Sequence, residues 1–148
     1  MVAIEAATPK DIPALAGLLN VLFAQEADFA PDREKQERGL EMILNSESVG
    51  RVFVARSEGE IVGMVSLLFT FSTAEGGPVC WLEDMVVLPN FRERGIGSRL
   101  LEAAVDFAQH NRFLRITLLT DRLNSKALSF YARHGFSESA MKALRRKL

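Results

Sequence analysis

Residues 79–98 are Val-Cys-Trp-Leu-Glu-Asp-Met-Val-Val-Leu-Pro-Asn-Phe-Arg-Glu-Arg-Gly-Ile-Gly-Ser. The first nine are mostly apolar or β-branched and predict a strand, which Pro89 ends. From Gly95 to about His110, apolar residues recur on one face, which predicts a helix. A further apolar run at 116–119 predicts a strand. A strand, a helix and a second strand in this order imply a parallel pair within one sheet.

The turn between that strand and that helix is suited to an anionic ligand. The first turn of a helix leaves N–H groups unpaired and carries the positive end of the helix dipole. Gly95 and Gly97 keep Cβ atoms away from a ligand, and Arg92 and Arg94 add positive charge. Leu100 stands where a dinucleotide fingerprint would have its third glycine, and a Walker loop would need a Gly-Lys pair. We predict a diphosphate site here; the alternative is that both glycines serve packing.

Hydrophobic patterning outside this unit predicts the remaining elements. We expect strands over 2–6, 51–55 and 61–71, and helices over 12–23, 32–45 and 125–134. The tail from Phe136 is compatible with a strand or a frayed helix. Taken as a strand, it gives the order β-α-α-β-β-β-α-β-α-β. The sheet is therefore mixed, with antiparallel hairpins before the parallel pair.

Length and composition describe one globular domain over residues 1–148. The chain is 48% hydrophobic and 25% charged with a formal net charge of −1, values that are ordinary for a globular protein. The near-neutral charge argues against a nucleic-acid partner, and no apolar stretch reaches the roughly 20 residues of a membrane helix. Because Cys80 is the single cysteine, we expect neither an internal disulfide nor a thiol-only metal site. With no signal peptide evident, we expect a cytoplasmic protein.

A second motif lies further along the chain, at Asn124-Ser-Lys-Ala-Leu-Ser-Phe-Tyr-Ala-Arg-His-Gly-Phe136. Together the two motifs resemble the GCN5-related N-acetyltransferase (GNAT) family. That family carries an Arg/Gln-x-x-Gly-x-Gly/Ala loop and, downstream, Asn-x-x-Ala followed by Phe-Tyr and Gly-Phe. The matching residues are Arg92, Gly95 and Gly97, then Asn124, Ala127, Phe130, Tyr131, Gly135 and Phe136. With the order of elements, the resemblance covers nearly the whole chain.

The resemblance implies the GNAT fold, an α/β domain with a mixed, mostly antiparallel sheet. That sheet would have about six to seven strands, a splayed parallel pair and about four flanking helices. It also implies acetyl-coenzyme A as co-substrate, without a metal, in the cleft between the parallel strands. The residues implied for the coenzyme are Met85, Val86 and Val87 for the pantetheine arm, Arg92, Glu93, Arg94, Gly95, Ile96, Gly97 and Ser98 for the pyrophosphate, and Asn124 and Tyr131.

Acetyl transfer to an amine has three chemical requirements. An amine with a reference pKa of about 10.4 is almost fully protonated near neutral pH, so it must first lose a proton. The carbonyl oxygen needs hydrogen-bond donors, for which a backbone N–H of Val86 or Val87 is suited. The departing thiolate benefits from a proton donor. Tyr131, the single tyrosine, stands at the family's general-acid position; the alternative is a core aromatic residue.

Glu83 and Asp84 are the candidate base and substrate-binding residues. Successive strand residues face opposite sides, so only one of the two points into the cleft unless a bulge intervenes. The fragment Trp81-Leu-Glu-Asp84 is also similar to the spermidine/spermine acetyltransferase branch, in which this glutamate works through water. We therefore predict Glu83 as the base. The alternative is that both acids are structural or only bind a cationic substrate.

These features predict an enzyme that transfers acetyl from acetyl-coenzyme A directly to a primary amine. A small cationic amine or polyamine is favoured because four acids cluster around the connection of the first two predicted helices: Glu26, Asp28, Asp32 and Glu34. Two alternatives stay open, a coenzyme-binding sensor or interaction domain without turnover and an acetyltransferase of protein N-termini or lysines. We also expect a homodimer, from the family's habit and because an apolar edge strand over 61–71 would need covering.

Overall fold

The computed structural model describes all 148 residues and contains five strands and four α-helices. The strands are β1 (Val2–Ala6), β2 (Gly50–Ser57), β3 (Glu60–Ser72), β4 (Gly77–Val87) and β5 (Ile116–Leu118). The helices are α1 (Ile12–Gln25), α2 (Arg33–Leu44), α3 (Ile96–His110) and α4 (Ser125–Arg133). None of these helices is long and apolar enough to cross a membrane.

The sheet has the order β1-β2-β3-β4-β5. Its first four strands are antiparallel in succession, and β4 and β5 are parallel. The predicted mixed sheet with one parallel pair and four helices is therefore confirmed. The strand count is lower than the predicted six to seven, because residues 137–148 form neither strand nor helix. This tail contains no β-branched or aromatic residue, the types that favour strands.

The structure corrects the prediction of an apolar edge strand over residues 61–71. These residues lie in β3, which pairs with β2 on one side and β4 on the other. The chain turns back after Ser72, and Gly77 begins the strand that covers the second edge of β3. The sheet's outer strands are instead β1 and the three-residue β5. This part of the argument for a homodimer is wrong, and dimerisation stays a prediction.

Two hydrophobic layers cover the two faces of the sheet. Helices α1 and α2 pack on one face, and α3 packs on the other. The buried residues of the first layer include Leu15, Leu19, Leu40, Val54, Met64 and Val86, and those of the second include Val65, Leu67, Leu82, Leu100 and Leu101. Because β4 contributes to both layers, its carboxyl end is held firmly between α1 and α3.

Candidate active site

Strands β4 and β5 separate beyond Leu82, and this opens a cleft at the carboxyl end of β4. Their pairing covers only three positions, from Cys80 opposite Ile116 to Leu82 opposite Leu118. Strand β5 then ends, whereas β4 continues to Val87. One edge of residues 83–87 is therefore unpaired, as the resemblance predicted for a splayed parallel pair.

The backbone N–H groups along this part of β4 alternate between its two edges. Leu88 N donates to Val62 O on β3 at 2.8 Å. Because the direction of the N–H groups repeats every two residues, the N–H of Val86 also faces β3. The N–H groups of Met85 and Val87 therefore face the open cleft. Of the two donors that we predicted for the carbonyl oxygen, Val87 lies on the cleft edge and Val86 on the paired edge.

The loop that follows β4 presents six backbone N–H groups, from Glu93 to Ser98, with no acceptor inside the protein. The first bond of the new helix runs from Arg99 N to Gly95 O at 3.1 Å. Gly95 precedes α3 with φ of 78°, a left-handed conformation that glycine adopts without steric cost. Free N–H groups at a helix N-terminus, next to the positive end of the helix dipole, match the needs of a diphosphate.

The two sequence motifs lie against each other in the folded chain. Glu93 of the loop pairs with Lys126 of α4, with 3.2 Å between Oε1 and Nζ. A Cβ atom placed on Gly97 would lie 3.6 Å from both Met85 Cε and Phe130 Cζ, which is ordinary contact. A longer side chain at this position would meet Phe130. Gly97 therefore serves the packing of α4 as well as the exposure of the loop amides.

A β-bulge in β4 directs two carboxylates into one cavity. The register between β3 and β4 shifts by one residue between Met64 and Ser66, opposite Asp84. Asp84 has φ of 52°, the left-handed conformation found at the first residue of such bulges. Glu83 and Asp84 consequently line the same cavity of about 470 Å³. The strict alternation that would have turned one acid away is broken.

This cavity lies between α1, α2, the segment that joins them and β4. Its acidic residues are Asp28, Asp32, Glu83 and Asp84, its basic residues are Lys35 and Lys147, and its aromatic residues are Phe23 and Phe29. The two aromatic rings pack together with centroids 5.6 Å apart. An acidic surface with an aromatic wall is suited to an organic cation.

Burial and negative charge shift the pKa values of three groups around the cleft. Burial, together with the charges of Glu83 and Glu26, raises the pKa of Asp84 to about 7. Burial, together with the charge of Glu26, raises the pKa of Tyr131 to about 12. The pKa of Glu26 is itself raised by burial and by neighbouring carboxylates. Near neutral pH, Asp84 can therefore accept a proton while Tyr131 keeps one.

Tyr131 and Asn124 both belong to the second motif. Tyr131 is half-buried on α4, and its ring packs edge-on against Phe130 at 5.2 Å and Phe136 at 5.8 Å between centroids. Asn124 precedes α4 and caps it, since its Oδ1 accepts from Ala127 N at 3.0 Å. The oxygen of Asn124 is engaged in the cap, so its Nδ2 group is the one left for a ligand.

Sequence reasoning named a bulge only as a possible exception and missed the aromatic wall of the cavity. A signal for the bulge was present, because aspartate is depleted in strand interiors and tolerates the left-handed conformation. Asp84 lies in a predicted strand in which Glu83 is the one other charged residue, and it therefore indicated an irregularity of that strand. Phe23 and Phe29 carried no comparable signal, since helical spacing made the first a core residue and nothing indicated what the second would contact.

Comparison with known proteins identifies the family of the chain. The model of the Acetyltransferase (GNAT) family matches residues 15–136. An uncharacterized N-acetyltransferase of Bacillus subtilis strain 168, YhfO, is 37% identical over 127 residues, which cover 83% of this chain and 84% of that protein. The aminoalkylphosphonate N-acetyltransferase of Salmonella typhimurium is 30% identical over 133 residues, which cover 90% of this chain and 83% of that protein.

A solved structure shows the same fold. The aminoglycoside N-acetyltransferase AAC(6')-Iy in complex with CoA superposes with a TM-score of 0.84 at 21% identity, over 99% of this chain and 95% of that one. Its likeness extends to the whole domain, and the family model spans both motifs of the sequence. The chain therefore belongs to the GNAT family of N-acetyltransferases.

Proposed function

We propose that the protein transfers acetyl from acetyl-coenzyme A to a primary amine of a small, positively charged acceptor, by direct attack in a ternary complex. The observation that carries the proposal is the bulge at Asp84. It places two carboxylates in an acidic cavity, on the same strand whose carboxyl end leads into the loop of free N–H groups.

The residues of the cleft fit acetyl-coenzyme A. The free N–H groups of residues 93–98 suit its pyrophosphate, and the cleft-facing N–H of Val87, next to that loop, suits a polar group of its pantetheine arm. When bound, the coenzyme supplies an activated acetyl group with a thiolate as leaving group. The CoA complex of the solved neighbour supports this use of the fold.

Two carboxylates are available to take the proton from the acceptor amine. Glu83 is the base that the sequence predicts. Asp84 is a second candidate, because a base whose pKa of about 7 is close to the working pH is more effective than one far below it. Both line the acceptor cavity, so the pair can hold the ammonium form as well as accept its proton.

Tyr131 is the proposed general acid. With its pKa raised to about 12, its hydroxyl stays protonated over the range in which Asp84 ionises. It can therefore donate a proton to the departing sulfur. The N–H of Met85, on the cleft edge of β4 and next to Asp84, is the proposed donor for the negative charge that develops on the carbonyl oxygen, which leaves the N–H of Val87 to the pantetheine arm.

A cationic acceptor is favoured by the charges of the cavity, four acids against two lysines. Of these lysines, Lys35 lies 3.9 Å from Asp32 and is partly neutralised by it. The aminoalkylphosphonate N-acetyltransferase is a relative whose name specifies an acceptor with an acidic group. Amines that carry a phosphonate are therefore the main competing acceptor class, followed by protein N-termini and lysines.

The test is a thiol-release assay with the purified protein, acetyl-coenzyme A and a panel of acceptors. The panel contains diamines and polyamines, aminoalkylphosphonates, amino acids, and peptides with lysine. We expect the fastest release with a diamine or polyamine, and a lower rate at high salt, because exposed charges are screened beyond about 8–10 Å. Faster turnover of a phosphonate or an amino acid would overturn the acceptor class. Coenzyme binding without thiol release from any amine would instead indicate a binding domain.

A further inference from the structure

The C-terminal tail lies against the mouth of the acceptor cavity. Arg145 Nη1 is 3.0 Å from Asp28 Oδ2, and the Arg145 guanidinium is 5.3 Å from the centroid of the Phe29 ring. Asp28 and Phe29 belong to the segment between α1 and α2 and line the cavity, as does Lys147 two residues beyond Arg145. A positively charged group of the chain itself is therefore seated at the entrance.

We propose that Asp28 and Phe29 form a subsite for a second cationic group of the acceptor, and that Arg145 occupies this subsite in the free protein as an internal competitor. The inference rests on the proposed function and specifies its substrate class. The acceptor would be a compound with two separated positive charges, such as a diamine or a polyamine.

The chemistry of the subsite is that of an organic-cation site. A carboxylate supplies a charge-assisted hydrogen bond, and the face of an aromatic ring attracts a cation through its quadrupole. Arg145 makes both contacts, which shows that the two groups can hold one cation together. Phe29 is held in place by the Phe23 ring, with 5.6 Å between centroids.

Asp28 and Asp32 differ in whether other groups of the protein already use their carboxylates. Asp32 Oδ1 accepts from Lys35 N at 3.2 Å and caps α2, so its carboxylate is committed to the helix. Asp28 has Arg145 as its one hydrogen-bond partner in the protein. Among the acids of the α1–α2 segment that line the cavity, Asp28 is therefore the one that a ligand can take over.

The subsite and the reacting end belong to one continuous space. Asp28 and Phe29 line the same cavity of about 470 Å³ as Glu83 and Asp84. Cavities of roughly 300–1,000 Å³ are typical for small-molecule ligands. An acceptor whose reacting amine lies at the β4 carboxylates can thus extend its other charged group toward Asp28.

The contact of Arg145 is of the kind that a ligand can displace. The side chains of Arg145 and Asp28 are 58% and 68% exposed, and ion pairs this exposed contribute little to stability. The tail around Arg145 belongs to no helix or strand. A ligand cation that restores both contacts therefore replaces Arg145 at little cost, and its apparent affinity is lowered by the competition.

The experiment compares Arg145→Ala with Arg146→Ala. Arg146 has the same charge one residue away and takes part in no ion pair or side-chain hydrogen bond. Calorimetry measures the binding of α,ω-diaminoalkanes and of n-alkylamines of the same length to each full-length variant. We expect Arg145→Ala to bind diamines about 3- to 10-fold more tightly, the order of one exposed pair with one cation–aromatic contact, and monoamines unchanged.

Further variants and outcomes make the test decisive. In the Arg145→Ala background, Asp28→Asn should weaken diamine binding about 3- to 10-fold and leave monoamine binding unchanged. Equal effects of the two arginine variants would point to net charge alone and overturn the proposal. Diamines that bind no more tightly than monoamines in every variant would overturn it as well. Diamine binding with the expected pattern but without thiol release would leave the subsite standing and reject the proposed transfer reaction.

Discussion

The two sides of the cleft use different parts of the chain. On the side proposed for the coenzyme, called the coenzyme side below, the available groups are backbone N–H groups, those of residues 93–98 and of Met85 and Val87. On the side proposed for the acceptor, called the acceptor side below, the polar side chains of the cavity are carboxylates, ammonium groups and the amide of Gln36. A backbone site depends on conformation and tolerates many side chains, whereas a side-chain site changes with every substitution. The coenzyme side can therefore be shared across a family while the acceptor side sets the substrate of each member.

Tyr131 is the proposed general acid of the transfer between these two sides, and its replacement should have the largest effect. We expect Tyr131→Phe to lower kcat by roughly 10²–10⁴, the range for loss of a general acid, because the thiolate then leaves without a proton donor. The affinity for coenzyme A should stay within a few-fold, since the ring and its packing remain. Steady-state kinetics and calorimetry measure the two quantities. Unchanged kcat would assign Tyr131 to packing alone.

The two carboxylates of the acceptor side can be separated by their pH dependence. We expect Asp84→Asn to lower the rate at pH 7 by about 10², the lower end of the range for a general base, since Glu83 remains nearby. In the parent protein, kcat/KM should rise with pH as Asp84 ionises around its pKa of about 7. Asp84→Asn should abolish this rise. If Glu83→Gln abolishes it instead, Glu83 is the base, as the sequence predicts.

Asp84 should also make the folding stability of the protein depend on pH. Its pKa is about 7 in the folded protein, against an ordinary value of 3.8, so the folded state binds this proton more tightly than the unfolded state does. Stability from the protonated carboxyl is complete below pH 4 and is lost as the pH rises through about 7. The ionised carboxylate then faces Glu83 and Glu26 in a partly buried site.

Asp84→Asn removes this titration and keeps a residue that tolerates the left-handed conformation of the bulge. Relative to the parent, we expect a gain of about 2 kcal/mol in the free energy of unfolding at pH 8. This is roughly half of the free energy that the whole change in the pKa of Asp84 represents at 1.36 kcal/mol per pKa unit, because solvent reduces the effect. At pH 4 the gain should nearly vanish. Urea denaturation at both pH values measures it, and an equal gain at both would mean that the effect is conformational.

The sequence predicted the elements of the fold where the signal is local. The strand predicted over 79–87 is β4 from Gly77, and the helix predicted from Gly95 is α3 from Ile96. Hydrophobic periodicity and turn residues act over a few positions, so the helix or strand that they specify can be predicted from one segment of the sequence. The covered second edge of β3 was missed because it depends on a strand that returns after Ser72. Whether a strand lies at the edge or in the centre depends on the whole sheet and not on the sequence of that strand.

The candidate site likewise has one part that local sequence specifies and one part that depends on tertiary contacts. The loop of free N–H groups before α3 could be predicted because its glycines and its helix start are contiguous in sequence. The acceptor cavity joins residues around Asp28 and Glu83 with Lys147 of the tail, so its composition depends on tertiary contacts. The bulge that turns Asp84 into this cavity is likewise a feature of the pairing between β3 and β4.

A pair of glycine variants tests whether the coenzyme side depends on conformation. Gly95 has φ of 78° with no atom within 4 Å of an added Cβ, so Gly95→Ala introduces backbone strain without a clash. We expect a loss of about 1 kcal/mol in folding stability, and weaker coenzyme A binding because the loop amides shift as the strain relaxes. Gly97→Ala adds a Cβ at ordinary contact distance, 3.6 Å from Phe130, and should keep both properties close to those of the parent. Thermal unfolding with and without coenzyme A measures both variants. A larger loss of coenzyme binding in Gly97→Ala than in Gly95→Ala would show that close approach to residue 97, and not the left-handed turn before it, controls the coenzyme side.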